Sequence, residues 1–448
     1  MRLADVFFWF ASFFIGGLLI ASVANGFREA FWISLLAILL AGAAVFFAGK
    51  IKISVFALAA ILGAGYFFLA DAKLQDIPFG KKVELSGIIV EAEQRLNSQK
   101  LIVAFDPKPS EGTILIQIAT SRYPEFEYGD RVKAVGVIKS IEGEWERYFK
   151  KEGVAGLMQF PKIEFISKNN GSPVKAKLLR IKKFFESSYK NVLPFEQAAF
   201  LSGLTIGSTA EFSDEFKEKL RLTGTTHLVA LSGYNISILV RAVGVGLAGW
   251  WFTKKLRLPV SVLFVIAFVV MTGAEPSVVR AAIMAMIMLI GDQIGRATYI
   301  RNAIAGAALI MVLMNPRILA FDIGFQLSFM ALIGIVYFEP WLRKKLKARE
   351  EAGVFGWRAH FWTTTSAQLA VLPIVIYHFG FVSPISVPTN VLLLEFIPIT
   401  MGLGFSIALA AIINPWLSWL IAIPAQAFLG YELSIINIFS TIITGLTR

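Results

Sequence analysis

His227 and Ser232 stand close together in the stretch GTTHLVALSGYNIS, residues 224–237, with Asn235 just beyond. A histidine beside a serine could pair a general base with a nucleophile. The spacing opposes that chemistry, because on one helix the two side chains point about 140° apart, too far for direct proton transfer. Ala230-Leu231-Ser232-Gly233-Tyr234 also lacks both glycines of G-x-S-x-G and follows no strand. No carboxylate lies near in sequence to orient the histidine. Serine hydrolysis is therefore the weakest reading of this stretch. His227 and Asn235 fall on one face of a single helix, with Ser232 at its border, and they read as a stripe of donors and acceptors.

Further polar groups interrupt the apolar runs that follow. Glu275-Pro276-Ser277-x-x-Arg280 reads either as a local acid–base pair capping a helix hairpin or as part of a polar site. Asp322 and Gln326 lie close to one face of a later helix, and Gln368, His378, Asn390 and Glu395 follow, with breaks expected at Pro373, Pro384 and Pro388. Each alone reads as a helix–helix hydrogen bond, whereas together they read as the lining of a polar path. There is no G-x-x-x-x-G-K-[ST] and no H-E-x-x-H, and the three histidines, His227, His360 and His378, are widely spaced. No catalytic residue, metal site or cofactor is expected, and the chain reads as a channel or transporter rather than an enzyme.

Composition says what must position these residues. The chain has 448 residues, of which 56% are hydrophobic, with a mean hydropathy of +0.66, which excludes an ordinary soluble domain. Many segments approach the roughly 20 apolar residues that span a bilayer, and about 10–12 membrane helices are expected. With no cysteine, disulfides and thiolate chemistry are excluded. The net charge of +12 is weak evidence for a nucleic-acid partner, because Lys and Arg collect in cytoplasmic loops for topological reasons. The N-terminus reads as a retained helix rather than a signal peptide, since Asp5 is out of place in a basic leader and more apolar segments follow. Apolar segments at 6–24, 31–49 and 53–70 come first, with Lys50 and Lys52 between the second and third. Placing those lysines inside puts the N-terminus in the cytoplasm and the chain after residue 70 outside. The basic residues at 254–257, Arg296, Arg301 and those at 343–349 then fall on the same cytoplasmic side. The last apolar stretch, 416–447, reads as a hairpin.

Between 81 and 168 the texture changes to short runs of period-two alternation separated by Gly, Pro and charge. Five strands are expected there, in a small OB-like barrel. Such a barrel could bind single strands through Tyr123 and Tyr128, although its aromatics, Phe105 and Phe126 among them, also suit a core. Its fourteen basic and thirteen acidic residues give little net charge. Residues 175–190 form a basic amphipathic helix that suits a membrane interface, with Lys175, Lys177, Arg180, Lys182 and Lys183 as alternative phosphate contacts. The fold class is a polytopic α-helical membrane protein with an inserted small extracytoplasmic OB-like β-barrel domain. Its parts are N-terminal membrane helices (1–72), the barrel (80–168), amphipathic or interfacial helices (173–225) and a membrane channel domain (226–448).

Gly224-x-x-His227-Leu228-x-Ala230-x-Ser232-Gly233 resembles the hallmark of the ComEC competence proteins. So do Pro276-Ser277-x-x-Arg280-Ala281-x-x-Met284, Asp322-x-Gly324-Phe325-Gln326-Leu327-Ser328-Phe329, and Gln368-Leu369-Ala370-x-x-Pro373 followed by Phe379, Ser383 and Asn390. The preceding helices and barrel are similar to the family's N-terminal region. The resemblance implies passage of single-stranded DNA across the cytoplasmic membrane in natural transformation, through a channel with no energy coupling of its own. It implies as partners single-stranded DNA, an extracytoplasmic DNA receptor, a cytoplasmic motor ATPase, a separate nuclease and the lipid bilayer. His227, Ser232, Asn235, Glu275, Arg280, Asp322, Gln326, Gln368 and Asn390 would line the path. Relatives commonly have a second histidine where this chain has Asn235. Many also end in a metallo-β-lactamase-like domain, which this sequence lacks up to Arg448, so no strand-degrading activity is expected of it. The alternatives are a transporter or exporter of another polyanion or a small solute and, more remotely, an intramembrane serine hydrolase.

Overall fold

The computed structural model describes residues 3–24, 51–71, 79–105, 114–141, 149, 153–231, 233–249, 254–293, 299–346 and 357–446. The expected segment 31–49, Ser232, and the loop charges Lys50, Arg296, Lys347 and Arg349 lie outside the described residues.

Two apolar helices, Leu3–Ala24 and Ile51–Asp71, cross antiparallel. Gly17 faces Ala60 and Gly63 faces Phe14 so closely that a side-chain carbon on either glycine would intrude on the opposing backbone. Asn302 donates to Ala4 O at 2.9 Å, Tyr66 donates to Leu313 O at 2.6 Å, and Arg301 pairs with Asp5. These bonds tie the pair to the helix Ile300–Met314, and a shared core of Phe14, Leu18, Phe67, Met311 and Phe325 fills the junction.

The sheet has six strands: β1 (Lys82–Gln94), β2 (Ser98–Phe105), β3 (Ile114–Ser121), β4 (Arg131–Val137), β5 (Val154–Gln159) and β6 (Lys162–Ser167). Their spatial order is β5-β3-β2-β1-β4-β6, antiparallel except for β3 with β5. Alternating residues such as Leu101, Val103, Ile116, Ile118, Val132 and Ala134 face one core, as period two requires. The expected closed barrel of five strands is corrected to an open sheet of six. β6 occupies the free edge of β4 that β5 would need for closure, and one bridge, Lys139 to Leu157, is the residual link. Phe105 and Phe126 belong to the core, while Tyr123 is 69% exposed.

The helix Pro173–Val192 leads from the sheet to Phe195–Ile206, whose residues from Ala198 onward are buried on every side. Phe200, Leu201, Met401, Ile407 and Leu429 pack there as one core. Pro373 lies inside the helix Trp357–Phe379 rather than at a break. Ser386–Leu394 and Ile397–Ile413 meet at a bend of 50°. The last apolar stretch is not a hairpin but one helix of 32 residues, Pro415–Leu446. Its polar Glu432 does not force a turn, because Thr400 donates to Glu432 Oε1 at 2.7 Å.

Among the described residues, three helices are long and apolar enough to cross a membrane: Ala4–Ser22, Ile323–Lys345 and Pro415–Gly445. The bent pair makes a fourth if it counts as one span. Leu256–Met271, Pro276–Gly291 and Ile300–Met314 are apolar but shorter.

Candidate functional site

The helix Asp214–Thr223 ends at Gly224, whose φ of +67° allows its N–H to reach Arg221 O and Leu220 O. A side-chain carbon here would collide with the Ser386 hydroxymethyl group. Ser386 Oγ donates to Gly224 O at 3.3 Å and accepts a bond from Gln368, so the glycine is clasped by the segment that opens Ser386–Leu394.

One short helical turn, Thr226–Val229, follows before the backbone leaves helical geometry at Ala230 (φ −82°, ψ 85°). The next helix is Gly233–Gly249. His227 and Asn235 therefore do not share one helix, and the expected common face is corrected. His227 is exposed and lines a cavity of ≈ 3620 Å³. Asn235 is 1% exposed and donates to Leu204 O (3.1 Å) and Leu228 O (3.3 Å). The reason is local, since each break leaves carbonyls without helical partners and the amide of Asn235 supplies donors for two of them.

Glu275, Arg280, Asp322 and Gln368 line the same cavity as His227. Arg280 is 6% exposed, with its guanidinium carbon 5.7 Å from the centroid of the Phe329 ring. Asp322 caps its helix, accepting from Phe325 N at 3.1 Å. Gln326 is turned elsewhere: it donates to Leu319 O and Ala320 O at 3.0 and 3.1 Å and borders a smaller pocket with Tyr377 and His378. Asn390 is fully buried, donating to Ser386 O at 2.7 Å and to Gly224 O at 3.4 Å.

The cavity continues to the seam between the sheet and the helix Pro173–Val192, where Tyr128, Lys175, Arg180, Lys182 and Lys183 line it. Lys175 Nζ donates to Val90 O at 3.1 Å and sits 4.7 Å from the Tyr128 ring centroid. Tyr128 Oη accepts from Ser172 N at 3.0 Å. Lys183 pairs with Glu127, and its hydrogen bond holds the Glu127 carboxyl below the usual carboxylate range. Lys177 and Tyr123 are exposed away from this lining. A small-molecule site occupies about 300–1,000 Å³, so this space is several-fold too large for one compact ligand and has the dimensions of a vestibule.

Sequence reasoning counted Glu395 among the polar groups without pairing it with His360, and passed over Glu339 and Glu432. His360, which lines the cavity, lies 3.1 Å from Glu395. Glu339 accepts from Thr363 at 3.0 Å and pairs with Arg343 at 3.0 Å. Their signal was present as single acids in apolar runs, VYFEPW for Glu339 and GYELS for Glu432. Among the described residues, no group of three or more His, Asp or Glu side chains is placed to hold a metal ion.

A family model described as Competence protein matches residues 204–446. The chain belongs to the competence-protein family. It is 30% identical over 222 residues to ComE operon protein 3 of Bacillus subtilis (strain 168), an alignment covering 50% of this chain and 27% of that relative. The chain thus spans about a quarter of the relative's length. No solved structure matches. All nine residues expected to line the path fall within the family match, whereas the sheet and the basic helix Pro173–Val192 precede it.

Proposed function

We propose that this competence-family chain forms a path for single-stranded DNA across the cytoplasmic membrane. The observation that carries this reading is the continuity of one cavity from the cationic helix at the sheet to His227 and Arg280 among the apolar helices. A strand carries one charge per nucleotide and must be attracted without being held, which suits separated cations and polar groups better than a deep basic pocket. Lys175, Arg180, Lys182 and Lys183 gather the phosphates at the seam, and Tyr128 offers a face for stacking. His227 and Gln368 supply donors further on. Asn235, Gln326 and Asn390 hold the broken helices that shape the path. In this reading the sheet is extracytoplasmic and the N-terminus cytoplasmic. An extracytoplasmic receptor delivers the strand, a motor ATPase supplies the energy, and a separate nuclease removes the complementary strand.

The test is reconstitution of the full chain in liposomes with end-labelled single strands outside, scored by protection from added nuclease. Single strands should become protected and duplex of equal length should not. Entry of small anions without strands would instead favour a transporter of small solutes, and labelling of Ser232 by a serine-reactive probe would favour a hydrolase.

A further inference from the structure

We propose that Arg280, together with the first turns of the helices Gly233–Gly249 and Pro276–Gln293, forms a subsite for one phosphate group inside the cavity. The inference rests on the single-strand reading for the identity of the ligand, a phosphodiester, but its geometry stands apart from it. Arg280 is nearly buried, lines the cavity, and has no hydrogen bond or ion pair among the described residues; its Nη1 is sealed from solvent without a partner. Its neighbour on the apolar side is the Phe329 ring. A guanidinium presents five donors in a fixed fork and is costly to bury uncompensated, so its retention among apolar helices calls for an anion that arrives from the cavity.

The surroundings suit that anion. Arg280 Nη2 lies 3.7 Å from where a side-chain carbon on Gly233 would be, so nothing intervenes between the guanidinium and the start of that helix. Ser277 Oγ donates to Leu231 O at 2.8 Å, which pins the start of the second helix beside the chain entering the first. Two helix N-termini, each the positive end of a dipole, thus flank the cation. Glu275 and Asp322 line the same cavity and oppose tight retention, which suits a polymer that must move on.

The full chain in nanodiscs should be titrated with fluorescent oligothymidylate between about 50 and 200 mM salt, as wild type, Arg280→Gln and Arg280→Lys, with thermal unfolding recorded for each. Arg280→Gln should weaken binding about tenfold and flatten the slope of log affinity against log salt by about 0.7, as expected when one phosphate is no longer neutralised. Arg280→Lys should keep the slope and lose part of the affinity, because the charge stays and the fork is lost. This lysine variant also decides the matter if the glutamine variant fails to fold, since unchanged affinity would then overturn the subsite. If wild type binds the oligonucleotide and Arg280→Gln leaves affinity and slope unchanged, the subsite is wrong and the single-strand reading stands. If wild type ignores the oligonucleotide but broadens the phosphorus resonance of inorganic phosphate in an Arg280-dependent way, the subsite stands and the strand reading falls. Binding of neither overturns both.

Discussion

His227 and Asn235 belong to one short stretch, yet the imidazole opens onto the cavity and the amide is sealed in protein. The same division runs through the rest of the helical half. Arg280 and Gln368 line the cavity, while Gln326 and Asn390 turn into the structure. The inward amides share a task. Asn235 donates to Leu204 O in the last turn of Phe195–Ile206, Gln326 to Leu319 O and Ala320 O in a short turn, and Asn390 to Gly224 O at a helix end. Helices broken inside an apolar bundle leave carbonyls that water cannot reach, and a side-chain amide replaces the missing donors. The Arg280 guanidinium, turned to the cavity, bonds no such carbonyl among the described residues.

The division breaks most severely at Gly224, where both sets meet. Gly224→Val combines a left-handed backbone with a collision against Ser386, and should cost about 2–5 kcal/mol. It should show as loss of folded protein by fluorescence-detected size exclusion. Gly380 has a similar φ of +62° but open space around it, so Gly380→Ala should cost only about 1 kcal/mol. Equal losses at both sites would show that backbone strain, and not the clasp on Ser386, governs Gly224.

The next test separates the two sets directly. Asn235→Leu and Asn390→Leu should each lower stability by about 1–3 kcal/mol, because buried carbonyls lose their donors. His227→Ala should stay within about 0.5 kcal/mol of wild type and yet reduce strand entry about tenfold, the value of one charge-assisted hydrogen bond. Thermal midpoints and nuclease protection measured on the same preparations distinguish the two behaviours. A destabilised His227→Ala with a silent Asn235→Leu would reverse the assignment.

Sequence made some of this legible and hid the rest for identifiable reasons. Period-two alternation located the strands, because a sheet with one buried face must alternate. Closure was not readable, since the claim of β6 on the edge of β4 is a pairing between distant residues such as Lys162 and Val135. The polar residues of the membrane half were visible because each interrupts an apolar run. Their direction was not, because the break at Ala230 sits in a stretch with no proline and an unbroken apolar spacing, and losing it swings Asn235 away from His227. The opposite error arose at 416–447, read as a hairpin where the structure has one helix that runs on through Pro424 and Glu432. Thr400, from another helix, satisfies the acid and lets the helix continue for about 48 Å.

The cationic seam offers a milder comparison with the buried subsite. Replacing Arg180 and Lys182, which leaves the Lys175 and Lys183 links in place, by Gln should lower single-strand affinity mainly at low salt, with curves converging as salt rises. Each phosphate left without its cation should flatten the slope by about 0.7. The variant should fold normally, and an unchanged salt slope would remove the helix from the path.

The smallest effect is expected at Glu127, the acid paired with Lys183, for which an incoming phosphate would compete. Its carboxyl is held below the usual range first by the hydrogen bond from Lys183. The pair therefore contributes fully above the ordinary carboxylate pKa, and its contribution fades as pH falls through the lowered folded-state value. Both side chains are more than half exposed, at 51% and 57%, so solvent screening limits the contribution to no more than about 0.5 kcal/mol. Glu127→Gln should lower the thermal midpoint slightly at neutral pH and match wild type in acid, while the Lys175 bond to Val90 O keeps the sheet docked. The same variant frees Lys183, so single-strand affinity at neutral pH and low salt should rise rather than fall. Weaker binding by Glu127→Gln would mean that the ion pair orders the seam for the strand instead of competing with it.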